Sequence, residues 1–141
     1  MISCCMATKS TTAERASATV EPAMLGLVLL VAWLVPGAGH LWFGRRQKGV
    51  IFLVALPLMF FTGIWLQGRI FPFEFSEPLV GLAAVADAGS GLTWFVARTL
   101  DLGNGLVTAA TYEYGNTFMI VAGLLNFLVM LDAFDIGMGR K

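Results

Sequence analysis

Charge is scarce in this sequence. Asp, Glu, Lys and Arg make up 13% of its 141 residues, about half of the roughly 25% usual in soluble domains. A chain this short and this poor in charge cannot give every apolar segment a wet face, which excludes an ordinary water-soluble globule. The charge present also balances, nine basic residues against nine acidic. With no basic stripe to displace counterions from phosphates, nucleic acid is excluded as a partner. Cysteine is nearly missing, and Cys4 and Cys5 are neighbours, so there is neither a disulfide framework nor zinc spacing. His40 is the only histidine. No Ser-His-Asp order, Walker loop or zinc-helix motif occurs. These absences predict no enzyme activity, no cofactor and no metal.

Apolar residues are abundant: 57% of the chain is hydrophobic and its mean hydropathy is +0.78. Residues 1–21 stand apart, rich in Ser, Thr and Ala without apolar period, and predict a mobile tail. Residues 22–141 predict a single all-α domain, a polytopic membrane bundle of about four segments near 23–43, 49–66, 79–100 and 117–134. Pro36-Gly37-Ala38-Gly39 should break or kink the first of these. Pro57 should bend the second by freeing the carbonyl of Leu53. The loop of residues 67–78 alternates Phe71, Phe73 and Phe75 with polar residues or Pro, which suits an irregular piece at headgroup level.

The stretch Pro36-Gly37-Ala38-Gly39-His40-Leu41-Trp42-Phe43-Gly44-Arg45-Arg46-Gln47-Lys48-Gly49 resembles the helical hairpin of the two-transmembrane domain family. There a Gly-rich turn, an aromatic pair, a Gly and a basic residue join two membrane helices. Pro36, Gly37, Gly39, His40 and Gly44 are the turn residues on that likeness. The Asp-Arg-Phe motif of the animal members is missing, so their signalling role is not implied. The whole chain also resembles an uncharacterised bacterial multi-pass membrane family, a domain of unknown function. That likeness rests on Tyr112-Glu113-Tyr114-Gly115-Asn116-Thr117, Leu124-Leu125-Asn126 and Leu131-Asp132-Ala133-Phe134-Asp135. It implies a bacterial inner-membrane location and no known activity.

Few polar groups fall inside the apolar segments. Asp87 is the most informative, because a carboxylate at the membrane centre costs about 2.5–3.5 kcal/mol on insertion scales. It lies beside a stripe of small residues, Gly81, Ala84, Ala88 and Gly91, that would let another helix approach. Asn126 shares a face with Gly123 and Met130. Antiparallel third and fourth segments would put Asp87 and Asn126 at matching depth, predicting an intramembrane polar contact between them, direct or through one water. His40 is expected to bond a backbone carbonyl freed near Pro36. Arg98 is expected to pair with Asp101 or Glu113, and Asp132 and Asp135 to form a solvated end answering Arg140 and Lys141.

Arg45, Arg46 and Lys48 crowd a tight turn behind Trp42 and Phe43, which predicts contact with lipid headgroups, anionic ones in particular. Four spans would put this turn opposite both termini, and its dense charge favours the cytoplasmic side. Two functions follow. The first is a structural or interaction subunit that packs with lipid, with a second copy or with the helices of a membrane-protein partner. The second is a channel or transporter component with a polar path at Asp87 and Asn126. A dry neighbourhood around Asp87 supports the first, and a hydrated cavity supports the second.

Overall fold

The computed structural model describes residues 21–74 and 76–140, so residues 1–20 of the predicted tail, Phe75 and Lys141 lie outside the described residues. Six helices are present: α1 (Pro22–Leu34), α2 (Ala38–Trp42), α3 (Arg46–Trp65), α4 (Pro78–Ala88), α5 (Leu92–Thr99) and α6 (Tyr112–Gly137). The described residues hold no strand, only an isolated antiparallel bridge between Arg69 and Asn104. The described residues are therefore all-helical, as the apolar pattern predicts. Two helices, α3 and α6, are long and apolar enough by themselves to cross a membrane.

The first predicted segment divides where its proline stands. Val35 precedes Pro36 and takes an extended conformation, φ −118° and ψ 107°, because the proline ring disfavours a helical residue before it. Gly37 then adopts φ +84°. A methyl group at its Cα would run into the Gly49 carbonyl of α3, so only glycine serves here. The chain turns back as α2. Contacts along α6 fix the direction of both arms. Near Gly137 lie Leu25, at the start of α1, and Phe43, just after α2. Further along α6, Ala133 meets Gly39 and Asn126 meets Trp33. Residues 22–43 therefore enter and leave at the same end of α6. With 13 residues, α1 is about 20 Å long, short of the roughly 30 Å hydrocarbon core.

The resemblance to a pair of membrane-crossing helices is corrected accordingly. The turn at Gly44 is present, with φ +75°, and α3 is a full-length second arm. The first arm is a short helix that doubles back, because Pro36 and Gly37 together reverse the chain and do not merely kink it.

The third predicted segment, 79–100, is not one helix either. It breaks at Gly89-Ser90-Gly91, and α4 and α5 meet at 104°. Gly91 has φ +62°, and its Cα lies against the Trp33 and Leu34 carbonyls, leaving no room for a side chain. The connectors on either side of this broken segment join each other. Ile70 N–H donates to Gly103 O at 2.8 Å, beside the Arg69–Asn104 bridge. The chain thus leaves the far end of α3 and returns to it before α6 begins. Helices α3 and α6 pack antiparallel, with Gly63 against Met119 and Gly115. A buried cluster of Phe60, Ile70, Ala97, Met119 and Ala122 fills this end.

One consequence corrects the four-span arrangement. The Arg45–Lys48 turn, the start of α1 and the end of α6 lie at the same end of the bundle, not at opposite ends. Three-residue interruptions, Val35–Gly37 and Gly89–Gly91, are what hydropathy averaging overlooks.

Candidate functional site

The two breaks meet, and Asn126 is where they meet. It lies 14 residues after Tyr112 and 11 before Gly137, near the middle of α6. The last carbonyls of any helix lack intrahelical partners, and in hydrocarbon each such group costs several kcal/mol if left bare. Trp33 lies in the last turn of α1 and Gly89 caps α4. The Asn126 Nδ2 group donates to Trp33 O at 2.9 Å and to Gly89 O at 2.8 Å. A primary amide has two N–H donors, and this one spends them on two different broken helices. Gly123, one turn earlier, lies directly against the Ala86 carbonyl, and Gly89 against Gly123 and the Phe127 ring. These bare Cα atoms bring α4 near enough for the amide to reach. Ser90 and Thr93 finish the break by donating to Asp87 O at 2.6 Å and Ser90 O at 2.8 Å.

Asp87 and Asn126 are both fully buried, with no exposed surface. They do not bond to each other directly, which corrects the direct form of the predicted pairing. Both amide N–H donors are taken by the carbonyls, so Asn126 has none left to give the Asp87 side chain. Asp87 instead accepts from Phe71 N–H at 3.2 Å through Oδ2. Its Oδ1 and the Asn126 Oδ1 are buried without a partner. The aromatic loop is thereby tied to the end of α4, and Phe73 adds an edge contact to Trp94 at 6.0 Å.

His40 takes a different partner from the one expected. Its Nε2 pairs with Asp132 Oδ2 at 2.9 Å, while the Phe52 ring packs edge-on at 5.3 Å. The Pro36 break is closed by Asn126, which leaves the ring of His40 for α6. Gly39 rests on Ala133, one residue beyond Asp132, and so places the imidazole. Asp135, in contrast, reaches Arg140 at 3.8 Å on the exposed surface, as expected. Arg98 forms no ion pair with Asp101 or Glu113; its guanidinium lies 5.4 Å over the Trp94 ring.

The basic turn is exposed. Gly44, Arg45, Arg46, Gln47 and Lys48 surround a shallow cavity of about 450 Å³. Beside it, an apolar groove of about 400 Å³ runs between α3 and α6, with Asp132 as its one charged lining residue. Among the described residues no group of three or more His, Cys, Asp or Glu side chains is placed to hold a metal ion.

Asn126 and Asp87 were legible as buried polar groups. The carbonyls of Trp33 and Gly89 were not, because a backbone acceptor leaves no mark in a sequence. The Gly123-x-x-Asn126 spacing was the available signal for a close helix approach beside a donor.

No curated protein and no solved structure matches this chain. A family model matches residues 27–141. The chain belongs to that family, DUF6677, a family of unknown function.

Proposed function

We propose that this chain is a bacterial inner-membrane protein with two full crossings, α3 and α6, flanked by two re-entrant hairpins, α1–α2 and α4–α5. It acts as a non-enzymatic structural or interaction subunit. Parity supports the count. Antiparallel neighbours α3 and α6 require everything between them to return to the side it left, and a bend of 104° in short helices is how it does so. Charge supports the orientation. Among the described residues, the end that holds the basic turn carries Arg45, Arg46, Lys48 and Arg140, and the other end carries Arg69 and Arg98. Four against two faces the basic end to the cytoplasm.

The observation that carries the functional reading is the closed centre. Re-entrant breaks in transporters commonly line a cavity. Here both breaks are clamped by one amide, and Asp87 and Asn126 have no exposed surface. Apolar side chains turn outward instead: Leu124, Leu128 and Leu131 of α6 are 48%, 60% and 55% exposed. That face suits lipid or the helices of a partner, a second copy included.

The test is permeability. Purified protein in sealed liposomes should leak protons, sodium and potassium no faster than empty liposomes. A photo-crosslinking residue at Leu124 should give discrete adducts in the native membrane. A cation flux abolished by Asp87→Asn would overturn the reading in favour of a channel.

A further inference from the structure

The basic turn and the apolar groove are one continuous surface. The cavity at the turn shares Arg46 and Gln47 with a second hollow, and that hollow shares Ile51 with the groove. The groove then passes Ala55 and reaches Met59, where a last hollow with Phe118 and Val121 begins. From Arg46 to Met59 is 13 residues, about 20 Å of helix. Beyond Met59 the groove closes, because Gly63 lets Met119 and the Gly115 backbone pack directly on α3.

We infer that this groove holds an acyl chain of one anionic phospholipid whose phosphate rests on Arg45, Arg46 and Lys48. The inference rests on the membrane reading above and names a ligand for it. Length suits a lipid: on α3 the groove runs from Ile51 to Met59, about 12 Å of helix, which fits within one leaflet, half of roughly 30 Å. Charge argues for an anionic headgroup: the cations stand at the mouth, at the level of the first turn of α3. That helix begins without a side-chain cap. Cations are unfavourable at a helix N-terminus, so an anion among them relieves the turn as well as binding to it. Asp132 lines the groove, but its carboxylate is engaged by His40 at 2.9 Å and faces the chain region below the headgroup.

The test is native mass spectrometry of the full chain in mild detergent, with dioleoyl phosphatidylglycerol and dioleoyl phosphatidylcholine compared at equal concentration. One phosphatidylglycerol should remain bound while phosphatidylcholine is lost. That comparison needs no variant. Arg45→Gln, Arg46→Gln and Lys48→Gln together should weaken phosphatidylglycerol by roughly 100-fold, since each cation near an anionic surface contributes about fivefold. Ala55→Trp or Ile51→Trp fills the groove from exposed positions and should release the lipid with the cations intact. Equal retention of both lipids, or undiminished retention in both tryptophan variants, overturns the lipid. Displacement by inorganic phosphate with the tryptophan variants unaffected reduces the site to a headgroup contact and refutes the acyl groove. A dimer that Ala55→Trp dissociates would assign the groove to a second copy. Each of these failures leaves the liposome permeability result standing, so the two readings fail separately.

Discussion

Replacing Asn126 by Leu removes both amide donors from the place where α1 and α4 end. Side-chain hydrogen bonds in membranes average about 0.6 kcal/mol and reach about 1.7 kcal/mol, so losing two costs about 1–3.5 kcal/mol. The Trp33 and Gly89 carbonyls, 2.9 and 2.8 Å from the amide, then lie buried with no replacement donor, which holds the cost toward the upper part of that range. One term works the other way: the substitution also deletes the Asn126 Oδ1, already without a partner, and recovers about 1 kcal/mol. The expected net loss is about 1–2.5 kcal/mol, measured by reversible unfolding with SDS in mixed micelles. Asn126→Asp should be worse than Leu when ionised, because it sets a negative oxygen against two carbonyls. Its stability should fall as pH rises, since only the protonated acid can donate. Stability of Asn126→Leu within about 0.5 kcal/mol of wild type would refute the clamp, because surface-like tolerance is incompatible with two buried bonds.

Gly123→Ala places a methyl on the Ala86 carbonyl and should destabilise by about 1–3 kcal/mol in the same assay, as over-packing does. Asp87→Asn keeps an acceptor for Phe71 N–H and should leave folding intact, whereas Asp87→Leu should expose the aromatic loop to protease. His40→Leu and Asp132→Leu should each lower the unfolding midpoint, and the double variant should cost less than their sum, as for any pair in direct contact at 2.9 Å. Arg140→Ala should change stability by less than about 0.5 kcal/mol, because its partner Asp135 is exposed and 3.8 Å away.

The helical, apolar character of the chain was legible because it depends on sums over long windows. Pro36 was legible as a break for a local reason: its ring constrains Val35 whatever surrounds it. How the chain continues after that break was not, since a kinked crossing and a hairpin share the same hydropathy. The distinction lies in Gly37, Gly39 and Gly49, whose bare Cα atoms permit contacts with residues far along the chain. Gly91 resembled part of a packing stripe with Gly81, Ala84 and Ala88 for the same reason. Glycine serves both a close helix approach and a left-handed turn, and only the neighbours decide between them. Asp87 and Asn126 drew attention as costly groups in lipid. Their separate partners were hidden because those partners, at Phe71, Trp33 and Gly89, are backbone atoms. The His40–Asp132 pair joins residues 92 apart in sequence, a separation that no local pattern encodes.

Accessibility from the two sides tests directly the proposed re-entrant course of α1–α2 and α4–α5. In a background with Cys4 and Cys5 replaced by Ser, single cysteines at Glu21, Gln47, Met138, Glu74 and Leu106 can be labelled by an impermeant maleimide, before and after the membrane is opened. Glu21→Cys, Gln47→Cys and Met138→Cys should all be protected in intact cells and label together once the cytoplasmic face is open. Glu74→Cys and Leu106→Cys should label from outside. Labelling of Glu21→Cys and Gln47→Cys from opposite sides would mean that residues 22–43 cross the membrane, and would contradict the account.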